Sequence, residues 1–278
     1  MLVDTHTHFY DEWLLPDAEA AIQRALEAGV GKMIQADVDS AERPRMWEIG
    51  LRHPGVLFQM LGLYPGSVTA DNWKEELDAV YRIAAGDSLA SLGMTGTTPG
   101  MTGTTPEMAG IVAIGEIGLD YHEGKEFARE QKEVLRLQFE LAAKLNLPVN
   151  IHLRDAWEDF FAVLEDCRHL HLRGNLHCFS GSFEVYERAN RSGDFAVGVG
   201  GVLTFKNASL PAVVARIPLE HLLLETDAPY LAPVPYRGKR NESAYLPLIA
   251  ARLAEVKGLS LKEIETITTD NAIRLFNL

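Results

Sequence analysis

The stretch VDTHTHFYD, residues 3–11, puts two histidines two residues apart and an aspartate two residues before them. On a strand, residues i and i+2 point to one face, so Asp4, His6 and His8 would share a side. If that side is the interior of a barrel, the two imidazoles converge and make half of a metal site. If it is an exposed sheet face, the pattern is a surface strand that carries two histidines. The rest of the chain decides between these readings, and with them the fold.

Outward from this stretch the chain alternates. Residues 17–29 place apolar side chains at helical spacing and stop at Gly29, a helix C-terminal signal. Strand-like runs follow at 32–38, 56–65, 110–120, 148–155, 174–181, 194–201 and 221–229. Helical runs lie between them at 40–55, 72–86, 126–146, 156–167, 182–193 and 210–218, and two more fill 243–258 and 260–278. Pro44 fits the second helix because it falls in the first turn, where no N–H is needed.

The strands are apolar on both sides, as in a sheet covered by helices. Eight strand–helix units in 278 residues predict an α/β fold, a closed (β/α)8 TIM barrel, with 1–278 as one domain. A doubly wound open sheet is the competitor, but no Gly-rich phosphate turn follows the first strand. One segment breaks the rhythm: residues 93–106 write GMTGTTP twice. Lying between the third helix and the fourth strand, it reads as a surface loop at the bottom of the barrel rather than a lid.

Composition narrows the class. Hydrophobic residues make up 47% and charged residues 23%, an ordinary globular balance. No run has the length of apolar sequence a membrane span needs. The start MLVDTHTH lacks the basic and apolar regions of a signal peptide. Cys167 and Cys178 are the two cysteines, so a disulfide framework is not expected and a reducing cytoplasm is. The net charge of −13 argues against a dedicated sequence-independent nucleic-acid binder. It leaves open an enzyme acting on phosphates, because bound divalent ions can invert the local sign.

The C-terminal tips of the strands carry the chemistry. The first gives His6 and His8, the fourth Glu116 in AIGEIGLDYH, the fifth His152 in VNIHLRD, the sixth His177 in NLHCFSGS, and the eighth Asp227 in LLLETDAPY. Any one of them alone would read as a buried polar residue with its hydrogen bonds made. Six at equivalent positions would meet at one barrel mouth, where such folds place their active sites. Mixed imidazole and carboxylate ligation suits Zn, Mn, Fe or Ni and is too nitrogen-rich for Ca. Six ligands exceed one tetrahedral ion, and two ions sharing a bridging carboxylate fit better.

Other residues have two readings each. Arg154 follows His152 by two and tends to the same face, as a phosphate contact or a surface ion pair. Asp120 and His122 orient ligands or solvate a loop. Arg237, Lys239 and Arg240 in PYRGKRNE follow the eighth strand, where barrels often bind phosphate, and in so acidic a chain they favour an anion. Asn241 and Glu242 would pin that loop. Asp4 is expected beneath the site as a partner rather than a ligand, and Cys178 is expected to point away and pack. Trp13, Trp47, Trp73 and Trp157 read as core or rim.

The motifs DTHTHF, GLYPG at 62–66, VAIGEIGLDYH, PVNIHLRDA, LHCFSGS, LLLETDAPYLAP with RGKRNE, and TTDNAIRLF together resemble the TatD family of metal-dependent hydrolases, within the amidohydrolase-like barrels. The resemblance covers essentially the whole chain. It implies two divalent ions (Zn, Mg or Mn), one held by His6, His8 and Asp227, the other by His152 and His177, with Glu116 bridging. It implies a TatD-type deoxyribonuclease that cleaves phosphodiester bonds at DNA ends with a metal-activated water. Asp227, Glu116 and Arg154 would stand at the chemistry, Asp227 as proton acceptor or only as ligand. Arg154, Arg237, Lys239, Arg240 and Tyr64 would contact a transiently bound DNA or other phosphodiester, with no membrane and no obligate protein partner. Tyr64 departs from the family, which usually has a histidine there; tyrosine donates a hydrogen bond but does not protonate near neutral pH. Two other readings stay open: a binuclear hydrolase of a small ester, lactone or amide, and a metal-binding scaffold made inactive by the change at Tyr64.

Overall fold

The computed structural model describes residues 1–86, 110–122 and 124–278, so the repeat at 93–106 lies outside the described residues. Eight strands form one parallel sheet in chain order: β1 (Leu2–Thr7), β2 (Val30–Gln35), β3 (Leu57–Leu61), β4 (Ile111–Asp120), β5 (Val149–Arg154), β6 (Arg173–Leu176), β7 (Asp194–Val199) and β8 (Leu222–Leu224). Chain-order neighbours are what right-handed strand–helix–strand crossovers produce. The ends of the sheet meet at the mouth. Thr7 pairs with Ala228, the His8 amide donates to the Ala228 carbonyl at 2.8 Å, and the Asp227 amide donates to the His6 carbonyl at 2.9 Å. The expected (β/α)8 barrel is the fold.

The helices cover this sheet: α1 (Ala18–Glu27), α2 (Arg43–Arg52), α3 (Trp73–Ala84), α4 (Ala128–Leu145), α5 (Trp157–Asp166), α6 (Phe183–Ala189), α7 (Leu210–Arg216), α8 (Leu246–Lys257) and α9 (Leu261–Phe276). Pro44 sits in the first turn of α2, as its missing N–H requires. Helix α9 starts on a capping box between Ser260 and Glu263, which satisfies two backbone amides that the helix leaves free. Ala272 and Phe276 of α9 pack with Val3, Ile34, Met60, Ala113 and Leu223, joining five strands in one apolar cluster. Among the described residues, no helix is long and apolar enough to cross a membrane.

Most strands end before the runs read from the sequence do, and in two of them the shortfall bears on the site. Strand β6 ends at Leu176 and β8 at Leu224, so His177 and Asp227 stand beyond regular structure. Neither strand could run on through the site: Cys178 at φ 45° and Asp227 at φ 57° take the left-handed region, which extended strand cannot contain. Non-glycine residues held there are strained, and such strain tends to gather at functional sites.

Candidate metal centre

The six strand-tip residues meet at the barrel mouth. His6 Nε2 and His8 Nε2 are 3.1 Å apart. Glu116 lies between two pairs of imidazoles. Its Oε2 is 3.2 Å from His6 Nε2 and 3.7 Å from His8 Nε2. Its Oε1 is 2.8 Å from His152 Nδ1 and 3.8 Å from His177 Nε2. Asp227 Oδ1 lies 3.5 Å from His8 Nε2 and 3.8 Å from both His6 and His177 Nε2. The rings of His6 and His177 stack at 3.5 Å.

Each histidine is held by a different group on its far nitrogen. His6 Nδ1 is 2.9 Å from Asn150 Oδ1, and His8 Nδ1 is 3.0 Å from the Tyr10 hydroxyl. His152 Nε2 is 2.9 Å from Asp120 Oδ2, and His177 Nδ1 is 3.0 Å from Glu225 Oε1. These partners fix ring orientation and decide which nitrogen faces the centre. Glu225 also accepts from the Cys178 amide and, at 3.2 Å, from Asn175. Its carboxylate fills the space beside Gly198, where a Cβ would come within 1.9 Å of Oε2, so only glycine fits there.

Asn150, Glu225 and Tyr10 were not singled out by sequence reasoning. The signal that could have found the first of them is parity. Asn150 precedes His152 by two within β5 and so starts on its face, whereas Glu225 and Tyr10 lie beyond β8 and β1, where strand parity does not apply. Asp120 takes the orienting role that was one of its two readings. Asp4 lies beneath the centre, accepting from the Thr226 amide at 2.9 Å and its hydroxyl at 2.6 Å.

Electrostatics follow from crowding. Burial pushes the Glu116 carboxyl up, but the imidazoles of His6 and His152 outweigh it and hold the group well below its ordinary range. Asp227 behaves likewise: burial raises it, and His8, His177 and His6 lower it further. Burial alone would lower His152 and His177. Asp120 and Glu116 instead raise His152 to about 9, and Glu225 and Asp227 help raise His177 to about 10. His6 goes the other way, lowered by burial and by His177. The result is a set of ionised carboxylates balanced by protons on two rings, a donor set that a cation could take over. His6, His8 and Asp227 offer donor atoms within 4.8 Å of one another, as do His6, Glu116 and His177. Imidazole nitrogens mixed with carboxylate oxygens fit Zn- or Mn-type ions.

The outer residues divide. Tyr64 donates its hydroxyl to Asp120 Oδ2 at 3.3 Å and lies edge-on to the His152 ring at 5.1 Å. Burial and the Glu116 and Asp120 charges push its hydroxyl up, so it keeps its proton and stays a donor. Arg154 is exposed at the end of β5, and its charge helps lower Asp120. Arg237 lies over the Phe205 ring at 4.3 Å, and Lys239 is exposed. Arg240 is engaged elsewhere: it donates to Asp17 at 2.6 Å and to the Trp13 carbonyl at 3.1 Å, which anchors its loop. Asn241 pins the same loop through the carbonyls of Thr226, at 2.7 Å, and Tyr230, at 2.6 Å. His122 Nδ1 faces outward, 3.6 Å from Asp155. Cys178 does not point away as strand alternation predicts. At φ 45° the alternation breaks, and its sulfur lies with His177 and Glu225 within 4.8 Å.

Comparison with known proteins agrees with this geometry. The chain is 37% identical over 279 residues to a Bacillus subtilis protein named uncharacterized metal-dependent hydrolase YabD, with 100% of both covered. It is 32% identical over 268 residues to the 3'-5' ssDNA/RNA exonuclease TatD of Erwinia tasmaniensis, with 94% of each covered. The crystal structure of YJJV, a TatD homolog from Escherichia coli, superposes with a TM-score of 0.83 at 29% identity, over 100% of this chain and 98% of that one. The model of the TatD related DNase family matches residues 3–277, from within β1 to the residue that follows α9. The chain therefore belongs to the TatD related DNase family.

Proposed function

We propose that this chain is a metal-dependent hydrolase that cleaves phosphodiester bonds at the ends of DNA strands. The observation that carries the reading is Glu116, set between two pairs of imidazoles whose far nitrogens are each held by a separate side chain. That arrangement suits two cations sharing one carboxylate, with His6, His8 and Asp227 on one side and His152 and His177 on the other. Divalent ions there would lower the pKa of a water and polarise a phosphoryl oxygen.

The chain's own residues do the rest. Asp227 Oδ1 faces His8, His6 and His177, and its carboxylate is the group assigned to accept the proton of the attacking water. Against burial, the imidazoles of His8, His177 and His6 hold Asp227 below its ordinary range, so it is ionised at neutral pH. It is a weak base while they are protonated, and a base role depends on cations taking over those rings. Arg154, Arg237 and Lys239 supply positive charge around the mouth for phosphate oxygens. Tyr64 acts on the centre through Asp120, by helping to orient His152.

The test is cleavage of end-labelled single-stranded DNA by wild-type and Asp227→Asn protein, with Mg or Mn and with chelator. Metal-dependent cleavage that falls at least about 100-fold in the variant is expected. A metal-loaded wild type that leaves DNA intact and hydrolyses chromogenic esters would replace this reading with a small-ester hydrolase. A metal-loaded protein that cleaves neither would make it an inactive scaffold.

A further inference from the structure

Two aromatic side chains flank the centre without taking part in it. Trp13, after β1, is 58% exposed, and Tyr230, after β8, is 43% exposed. Their ring centroids are 5.9 Å apart, and the Tyr230 ring is 6.3 Å from the His8 imidazole. The rings step outward from the centre, Tyr230 first and Trp13 next. Leu231 and Val234 are exposed on the same loop as Tyr230 and add apolar surface.

A single exposed aromatic is ordinary, but here the Tyr230 ring is tied by its hydroxyl and the Trp13 backbone is tied at both its amide and its carbonyl. Asp11 accepts the Trp13 amide at 2.8 Å with Oδ1 and the Tyr230 hydroxyl at 2.7 Å with Oδ2. Arg240, itself tied to Asp17, donates to the Trp13 carbonyl at 3.1 Å. The Tyr230 amide donates to the Asp227 carbonyl at 2.7 Å, so the turn that carries a candidate ligand also sets the ring. Aromatic rings carried on an anchored backbone beside a reactive centre suit a flat partner.

Charge narrows what that is. Arg154, Arg237 and Lys239 form no ion pair among the described residues, which leaves them for phosphates. Three cations on a chain of net charge −13 give a weak hold on a polyanion. Stacking on aromatic rings supplies affinity that does not depend on charge or on base identity. Bases inside a duplex are paired and stacked on each other, so only an unpaired strand or a frayed end can use it.

We infer that Trp13 and Tyr230 form a stacking shelf for the bases of a single-stranded nucleic acid whose phosphodiester lies at the metal centre. The inference rests on the phosphodiester reading given above. Its test is equilibrium binding, followed by fluorescence anisotropy, of the full-length protein to a short labelled oligothymidylate with hydrolysis-resistant linkages. The comparison strand has the same length and charge and is abasic throughout. Wild type is expected to bind the base-bearing strand about 5- to 100-fold tighter. Trp13→Ala should lose most of that gap, and Trp13→Phe should keep most of it. Equal binding of the two strands by wild type, or an undiminished gap in Trp13→Ala, overturns the shelf. The readout needs no turnover. A protein that prefers bases and cleaves no phosphodiester overturns the hydrolase reading alone, and one that cleaves without preferring bases overturns the shelf alone.

Discussion

At the scale of single residues, the site is decided by which ring nitrogen faces inward. His6, His8 and His177 present Nε2 to the centre and His152 presents Nδ1, each because its other nitrogen is held. Glu225 carries much of this, touching His177, Cys178 and Asn175 at once. Glu225→Gln removes its charge with little change in volume. Metal affinity is expected to fall about 10- to 100-fold, measured as metal retained against a graded chelator. Protons make a second prediction at this scale. With His152 at about 9 and His177 at about 10, both rings are protonated at neutral pH when no cation is bound. A cation must displace those protons, so affinity rises with pH, by about tenfold per unit for each proton displaced, until pH exceeds those values. Competition titrations between about pH 6 and 8 should give a log-affinity slope between one and two; a flat profile would mean that a bound cation displaces no proton from either ring in that range.

At the scale of elements, the ligands depend on contacts between strands far apart in sequence. Asp4 ties β1 to the Thr226 turn beside Asp227 and is fully buried. Burial pushes its carboxyl up to about 6, against the pull of its hydrogen bonds. Asp4→Ala would leave the Thr226 amide and hydroxyl without an acceptor, at a cost of about 2–4 kcal/mol. The melting temperature is expected to drop by roughly 5–10 °C for a chain of this size. Asp4→Asn keeps an acceptor and should cost less than half as much; equal losses would mean that charge, not the hydrogen bond, matters there. A second tie is the buried pair of Arg43 on α2 and Asp37 after β2, 2.6 Å apart. Asp37 also accepts from the Gly62 amide at 3.0 Å, and its carbonyl accepts the Glu116 amide at 3.0 Å. Alternation of strand and helix, Gly29 and Pro44 were legible in the sequence because they are local. The tie from Asp4 to Thr226 was not, because barrel closure sets the distance between its ends. The pair of Arg43 and Asp37, though local, was not because the sequence does not show that both side chains are buried.

At the scale of the whole molecule, an acidic chain is expected to hold a strand lightly. If Arg154, Arg237 and Lys239 are the phosphate contacts, binding to single strands should weaken with salt at a log–log slope no steeper than roughly 2. A much steeper slope would point to a basic surface beyond these three.

The sequence by itself determined the barrel, because period and punctuation recur eight times. It also determined the six residues at the mouth, because every barrel strand ends on the same face. Tertiary structure alone decided the rest. It turned Arg240 from a free cation into the anchor of a loop and brought Cys178 back toward His177. It gave each histidine its partner and set Trp13 beside Tyr230, more than two hundred residues away along the chain. Spacing along a strand fixes only the direction in which a side chain leaves the backbone. What it meets there depends on the distance to other strands, and closure of the sheet sets that distance.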